Sequence, residues 1–77
     1  MTDYHVRNAR NVLIRTFETP DLAYRFLEAS AHVHGDLKVI EVRQSVTERL
    51  LAESHVNRDG SVQIQRPETP VRLRIVR

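Results

Sequence analysis

The chain has 77 residues, a formal net charge of +2 and no cysteine. A chain of this length buries only about 60% of its unfolded surface, so we expect residues 1–77 to form one small, marginally stable domain. The lack of cysteine excludes a disulfide framework, a thiolate zinc site and a thiol nucleophile. No apolar run reaches the roughly 20 residues that span a bilayer, and no signal-peptide pattern opens the chain, so the sequence predicts a cytoplasmic protein.

The first elements in chain order are two predicted strands. Residues 12–17 are rich in β-branched and aromatic side chains, which is typical of a strand. Residues 4–7 are the candidate partner strand, with residues 8–11 as the turn between them.

A helix is predicted over residues 20–34. Thr19 is a suitable N-cap, Pro20 suits the first helical position, and Gly35 supplies the left-handed stop. Apolar residues recur at spacings of four, three and four: Leu22, Phe26, Ala29 and Val33, widened by Ala23 and Leu27. We expect this stripe to face the core, because charged residues occupy the opposite side of the helix.

Another strand is predicted over residues 37–42, and the segment that follows has two interpretations. Ser45 and Glu48 match a helix capping box, which favours a short second helix over about residues 46–55. Alternating apolar positions favour a strand instead, with residues 49–56 pairing across the turn at residues 57–60 with residues 61–66. The balance leans toward two strands that meet near residues 44–45.

The end of the chain alternates apolar and polar residues over 62–65 and 71–75. Turn-forming residues lie between them at 66–70, so we predict that these two strands pair antiparallel through a short loop. The fold class that follows is α+β: one main helix packed on an antiparallel sheet of four or five strands.

The outward positions near the C-terminus form a candidate nucleic-acid or partner surface: Gln63, Gln65, Arg66, Arg72, Arg74 and Arg77. Arginine contacts phosphates and glutamine reaches base edges, which makes a nucleic-acid-binding module the alternative function. Platforms for single strands also present aromatic rings for stacking, and this chain has only four aromatic residues. A plain solvated strand face explains the same alternation.

No pattern for catalysis, metal binding or a cofactor is present in the sequence. His32 and His34 are two positions apart, and such positions point to different sides of a helix, so their spacing does not suit a metal site. Gly35 and Gly60 are isolated, which excludes a phosphate-binding glycine loop, and the serines lack a nucleophile motif. We therefore expect a protein that is not an enzyme and that needs no cofactor.

Apolar residues on both faces of the predicted strands favour a protein-interaction function. The candidate apolar interface consists of Leu13, Ile40, Leu51 and Val76, whose strand neighbours are also apolar. One helix covers only one face, so we predict that the second face or an edge strand is buried against another chain. The sequence thus predicts a small non-catalytic interaction module of the adaptor or inhibitor type that self-associates as a homodimer. Its arginine-rich composition suggests a bacterial or mobile-element origin.

Overall fold

The computed structural model describes residues 2–44 and 47–67, and the backbone alone of residues 71–75. The elements are β1 (Thr2–Asn8), β2 (Leu13–Phe17), α1 (Pro20–His34), β3 (Leu37–Arg43), β4 (Thr47–Val56), β5 (Val62–Gln65) and β6 (Val71–Ile75). Every strand pairing is antiparallel, and the strands follow the order β2-β1-β3-β4-β5, with β6 also paired to β4. The predicted α+β fold, one helix on an antiparallel sheet, is confirmed.

The β1–β2 hairpin and the helix form where local signals place them. Asn8 shapes the turn after β1, because its Oδ1 accepts hydrogen bonds from the backbone N–H groups of Arg10 and Val12, both at 2.9 Å. At the helix ends, the Thr19 side chain accepts from the backbone N–H of Leu22, and Gly35 adopts a φ of 81°. Side-chain capping and the glycine stop thus set the helix bounds.

The ambiguous segment is a strand, and the alternative of a helix over residues 46–55 is not what the structure shows. β4 spans ten residues and lies between β3 on one side and β5 with β6 on the other. Pairing along both edges outweighs the local helix propensity of this segment. The turn before β4 includes Gln44 with a φ of 52°, while residues 45 and 46 lie outside the described residues.

The predicted pairing between the last two strands is wrong. β5 pairs with the end of β4, where Gln65 lies opposite Glu53, and β6 pairs with the start of β4, where Val71 lies opposite Leu50. β4 is long enough to serve both strands along one edge. β5 and β6 therefore run in the same direction along this edge, and Pro67, which follows β5, has no amide hydrogen to donate to a ladder.

The core lies between α1 and the sheet: Val6, Ala23, Leu27, Leu37, Val39 and Ala52 are buried there. The helix faces the sheet through Ala23, Leu27 and Ala31, so the stripe predicted to be central is displaced to one flank. Leu22 is 46% exposed and Val33 is 70% exposed. The helix thus carries two adjacent apolar stripes, and the one with Leu27 between two alanines packs on the sheet. The small alanine side chains allow the helix to approach the sheet more closely than Leu22 and Val33 would.

No helix in the described part of the chain has the length and hydropathy needed to cross a membrane.

Candidate interaction surface

The face of the sheet opposite α1, here called the reverse face, is covered at its centre by an ion pair. Strand alternation places Ile40 on this face, and its side chain is only 1% exposed. Arg7 of β1 reaches across β3 to Glu48 of β4, with Nη1–Oε1 and Nη2–Oε2 distances of 2.9 and 3.1 Å. The Arg7 and Glu48 side chains are 11% and 17% exposed. The pair therefore lies over Ile40 and shields it from water.

His5 and Asn11 complete the hydrogen bonding of Arg7. Arg7 donates to His5 Nδ1 at 3.1 Å and to Asn11 Oδ1 at 3.4 Å. Because a guanidinium only donates, His5 Nδ1 accepts, and the ring is neutral with its hydrogen on Nε2. Burial, followed by the charge of Arg7, lowers the pKa of His5. The centre of the reverse face is thus a hydrogen-bonded polar network.

The four residues predicted as an apolar interface occupy different places. Leu13 is 50% exposed on β2, whereas Ile40 lies beneath the Arg7–Glu48 pair. Leu51, which the β3–β4 register shift leaves unpaired, packs against the core. Val76 lies outside the described residues. Only Leu13 of the three described residues presents a large exposed apolar surface.

An exposed apolar run lies where β2 forms the edge of the sheet. Val12, Leu13 and Ile14 are consecutive and are 53%, 50% and 36% exposed. One side of β2 pairs with β1, and no described strand pairs with its other side. The outer N–H and C=O groups of this strand are therefore open to another chain.

The helix flank beside β2 carries the other exposed apolar residues. Phe26 packs on Phe17 of β2 with ring centroids 5.5 Å apart. The guanidinium carbon of Arg15 lies 5.5 Å from the Phe17 centroid and 5.9 Å from the Phe26 centroid. Leu22 and Val33 share the Phe26 side of the helix and remain exposed. We call the set Val12, Leu13, Ile14, Leu22 and Val33 the β2-side surface; it contains every large apolar side chain that is exposed among residues 2–44 and 47–67.

Arg66 lies over the opposite flank of the helix and contacts two of its side chains. Its guanidinium carbon lies 4.1 Å from the centroid of the Tyr24 ring, and its Nη2 lies 3.2 Å from Glu28 Oε1. Partial burial raises the pKa of Tyr24. The segment after β5 is therefore attached to the helix by a cation–π contact and an ion pair.

The candidate nucleic-acid surface is divided by this attachment. Gln63 and Gln65 are exposed and lie opposite His55 and Glu53 of β4 on the reverse face, whereas Arg66 contacts the helix on the other side. The backbones of Arg72 and Arg74 lie opposite Arg49 and Glu48 of β4. Their side chains, and Arg77, lie outside the described residues. Among the described residues, the glutamines and Arg66 do not form one surface.

A shallow polar trough of about 460 Å³ lies at one end of the reverse face. Lys38, Glu53 and Gln65 lie opposite one another across three strands along it. Beside them, His55 Nδ1 lies 3.3 Å from Asp36 Oδ2. A hydrogen bond from the Val56 backbone N–H lowers the pKa of Asp36. Opposite charges alternate in this trough, so it does not favour an anionic or a cationic ligand.

Ser54 lines the same trough, but it has a structural role. Its Oγ accepts from the backbone N–H of Leu37 at 2.9 Å and donates to the carbonyl oxygen of Gly35 at 3.3 Å. These bonds fix the link between α1 and β3. His32 and His34 are exposed at the end of α1, and the described residues contain no group of three potential metal ligands.

Comparison with protein-family models, with curated proteins and with solved structures finds no match to this chain.

Proposed function

We propose that the protein is a small, non-catalytic, cytoplasmic interaction module that binds a protein partner at the β2-side surface. The observation that carries this proposal is the coincidence of a strand edge that no described strand pairs with and a run of three exposed apolar residues, Val12, Leu13 and Ile14. A partner that adds a strand here gains backbone hydrogen bonds, and its side chains cover the apolar run.

The proposed mode of binding is strand addition, as an adaptor or inhibitor would use it. Soluble proteins commonly protect edge strands with charged residues, and Arg15 is the one charged residue within β2. Its guanidinium lies over Phe17 and Phe26, on the helix side of the strand. It therefore leaves the preceding apolar residues uncovered.

The edge formed by β5 is a weaker candidate for the same role. Its outward side chains Gln63 and Gln65 are polar, Val62 and Ile64 are half-buried, and Pro67 follows the strand. An added strand would cover little apolar surface there, and the proline ends the row of amide donors. The β2 edge therefore offers an added strand more exposed apolar surface than the β5 edge does.

The proposal is tested by selecting peptides from a random display library against the folded protein. We expect extended peptides with alternating apolar residues, whose binding slows hydrogen exchange of the β2 amides. Ile14→Lys should abolish binding, because it places a charge within the apolar run. Gln63→Lys is the matched control, since it adds the same charge to the β5 edge and should leave binding unchanged.

Selected peptides that bind both variants equally, or that protect β5 instead of β2, would contradict the proposal. Circular dichroism and urea unfolding of both variants check that each remains folded, which is expected because both residues have exposed side chains.

A further inference from the structure

We infer that the partner at the β2-side surface is a second copy of this chain, paired antiparallel through β2 about a two-fold axis at Ile14. The inference rests on the proposed function and names its partner. It follows from the distribution of charge and of apolar side chains along the strand edge.

Opposite charges flank the edge. Arg10 is exposed in the turn before β2, and Glu18 is exposed directly after the strand. In an antiparallel pair, the start of one strand lies beside the end of the other. Ile14 lies between the two charged residues, so a two-fold axis there brings the turn that carries Arg10 to the strand end that carries Glu18 in the second copy, and the contact occurs twice.

The same axis brings apolar residues together. It places Ile14 against Ile14 of the second copy. A register centred on Arg15 would oppose two like charges, which destabilises a strand pair.

Symmetry keeps both helices on one face of the joined sheet, because the two-fold axis of such a pair is perpendicular to the sheet. The exposed helix flanks, which carry Leu22 and Val33, then border the new strand pair from both sides. A domain this small without cysteine has a limited core, and pairing with a second copy adds buried surface without a disulfide.

A reciprocal charge exchange tests the register. Sedimentation equilibrium at low salt should show dimers, and Arg10→Glu or Glu18→Arg alone should each weaken the dimer by roughly threefold to thirtyfold. The double variant restores opposite charges at both contacts, so its dissociation constant should return close to that of the wild type. Arg58→Glu, in the exposed turn before β5, is the control and should change little.

A single introduced cysteine tests the axis itself, because the chain has no other cysteine. Ile14→Cys should form a disulfide-linked dimer under mild oxidation, and Gln63→Cys should not. Ile14→Cys that stays uncrosslinked, or a double charge variant that stays as weak as the single ones, would overturn the inference.

The two proposals can fail separately. A wild-type chain that remains monomeric at high concentration, yet binds the selected peptides at β2, refutes the second copy as partner and leaves the interaction function standing. A monomer that binds no strand-like peptide at β2 refutes both.

Discussion

The centre of the reverse face and the edge at β2 both carry apolar side chains, and the chain treats them differently. Ile40 lies beneath the Arg7–Glu48 pair, which the chain supplies from two strands on either side of β3. Leu13 and Ile14 have no comparable cover among the described residues. The comparison shows that exposure, not the apolar pattern of a strand, identifies the surface that is open to a partner.

The largest effect is expected from breaking the cover over Ile40. Glu48→Leu leaves the Arg7 charge buried without its carboxylate, and we expect a loss of about 3 kcal/mol in the free energy of unfolding. Arg7→Met combined with Glu48→Leu removes both charges and should recover stability to within about 1 kcal/mol of the wild type. Urea unfolding of the single and double variants measures this, and a double variant as unstable as the single one would contradict the assignment.

A pair of truncations compares the two regions directly. Ile40→Ala should cost roughly 2–3 kcal/mol of unfolding free energy, because it leaves a cavity beneath the ion pair. Leu13→Ala should cost about 1 kcal/mol or less in the dilute monomer, since half of that side chain is already in water. Equal losses of unfolding free energy for Ile40→Ala and Leu13→Ala would contradict the assignment of one side chain as buried and the other as exposed.

Local signals explain why part of the fold was predictable from sequence. Thr19, Pro20 and Gly35 determine the ends of α1 through contacts within a few residues, and the turn at residues 57–60 likewise places β5 beside β4. The helix core stripe was less predictable, because Leu22 and Leu27 belong to adjacent apolar stripes and only packing on the sheet selects between them.

Long-range contacts explain what the sequence did not reveal. Arg7 and Glu48 are separated by 41 positions, so their contact depends on β3 lying between their strands. The placement of β6 depends on the length of β4, which residues 66–70 do not encode. The candidate site was found in part: Leu13 was among the predicted residues, whereas Val12, Ile14 and the helix flank were not.

A smaller, pH-dependent effect is expected at the edge of the polar network. Because the pKa of His5 is lowered in the folded protein, the unfolded chain binds a proton there first as the pH falls. The contribution of His5 to the free energy of unfolding should be constant above its unfolded pKa of about 6.5. Below that pH the contribution should decrease until His5 in the folded protein also binds a proton.

His5→Gln is the matched variant, because its side-chain oxygen still accepts from Arg7 but does not titrate in this range. Urea unfolding at several pH values should show a flatter profile for the variant between neutral pH and about pH 5. Identical profiles would mean that His5 is not linked to stability.

The smallest effect is expected at the helix flank that Arg66 contacts. Arg66→Gln removes a cation–π contact and an exposed ion pair, and we expect a loss of about 1 kcal/mol or less. Urea unfolding at low and high salt measures it, since only the ion pair is screened. A loss above about 2 kcal/mol would show that this attachment contributes more than its exposed geometry indicates.

Hydrogen exchange at increasing protein concentration tests the central claim most directly, because it reports each strand edge separately. The account predicts that amides of β2 exchange more slowly as concentration rises, while the amides of β5 are unaffected. Exchange at β2 that is independent of concentration, or slowing confined to β5, would contradict it.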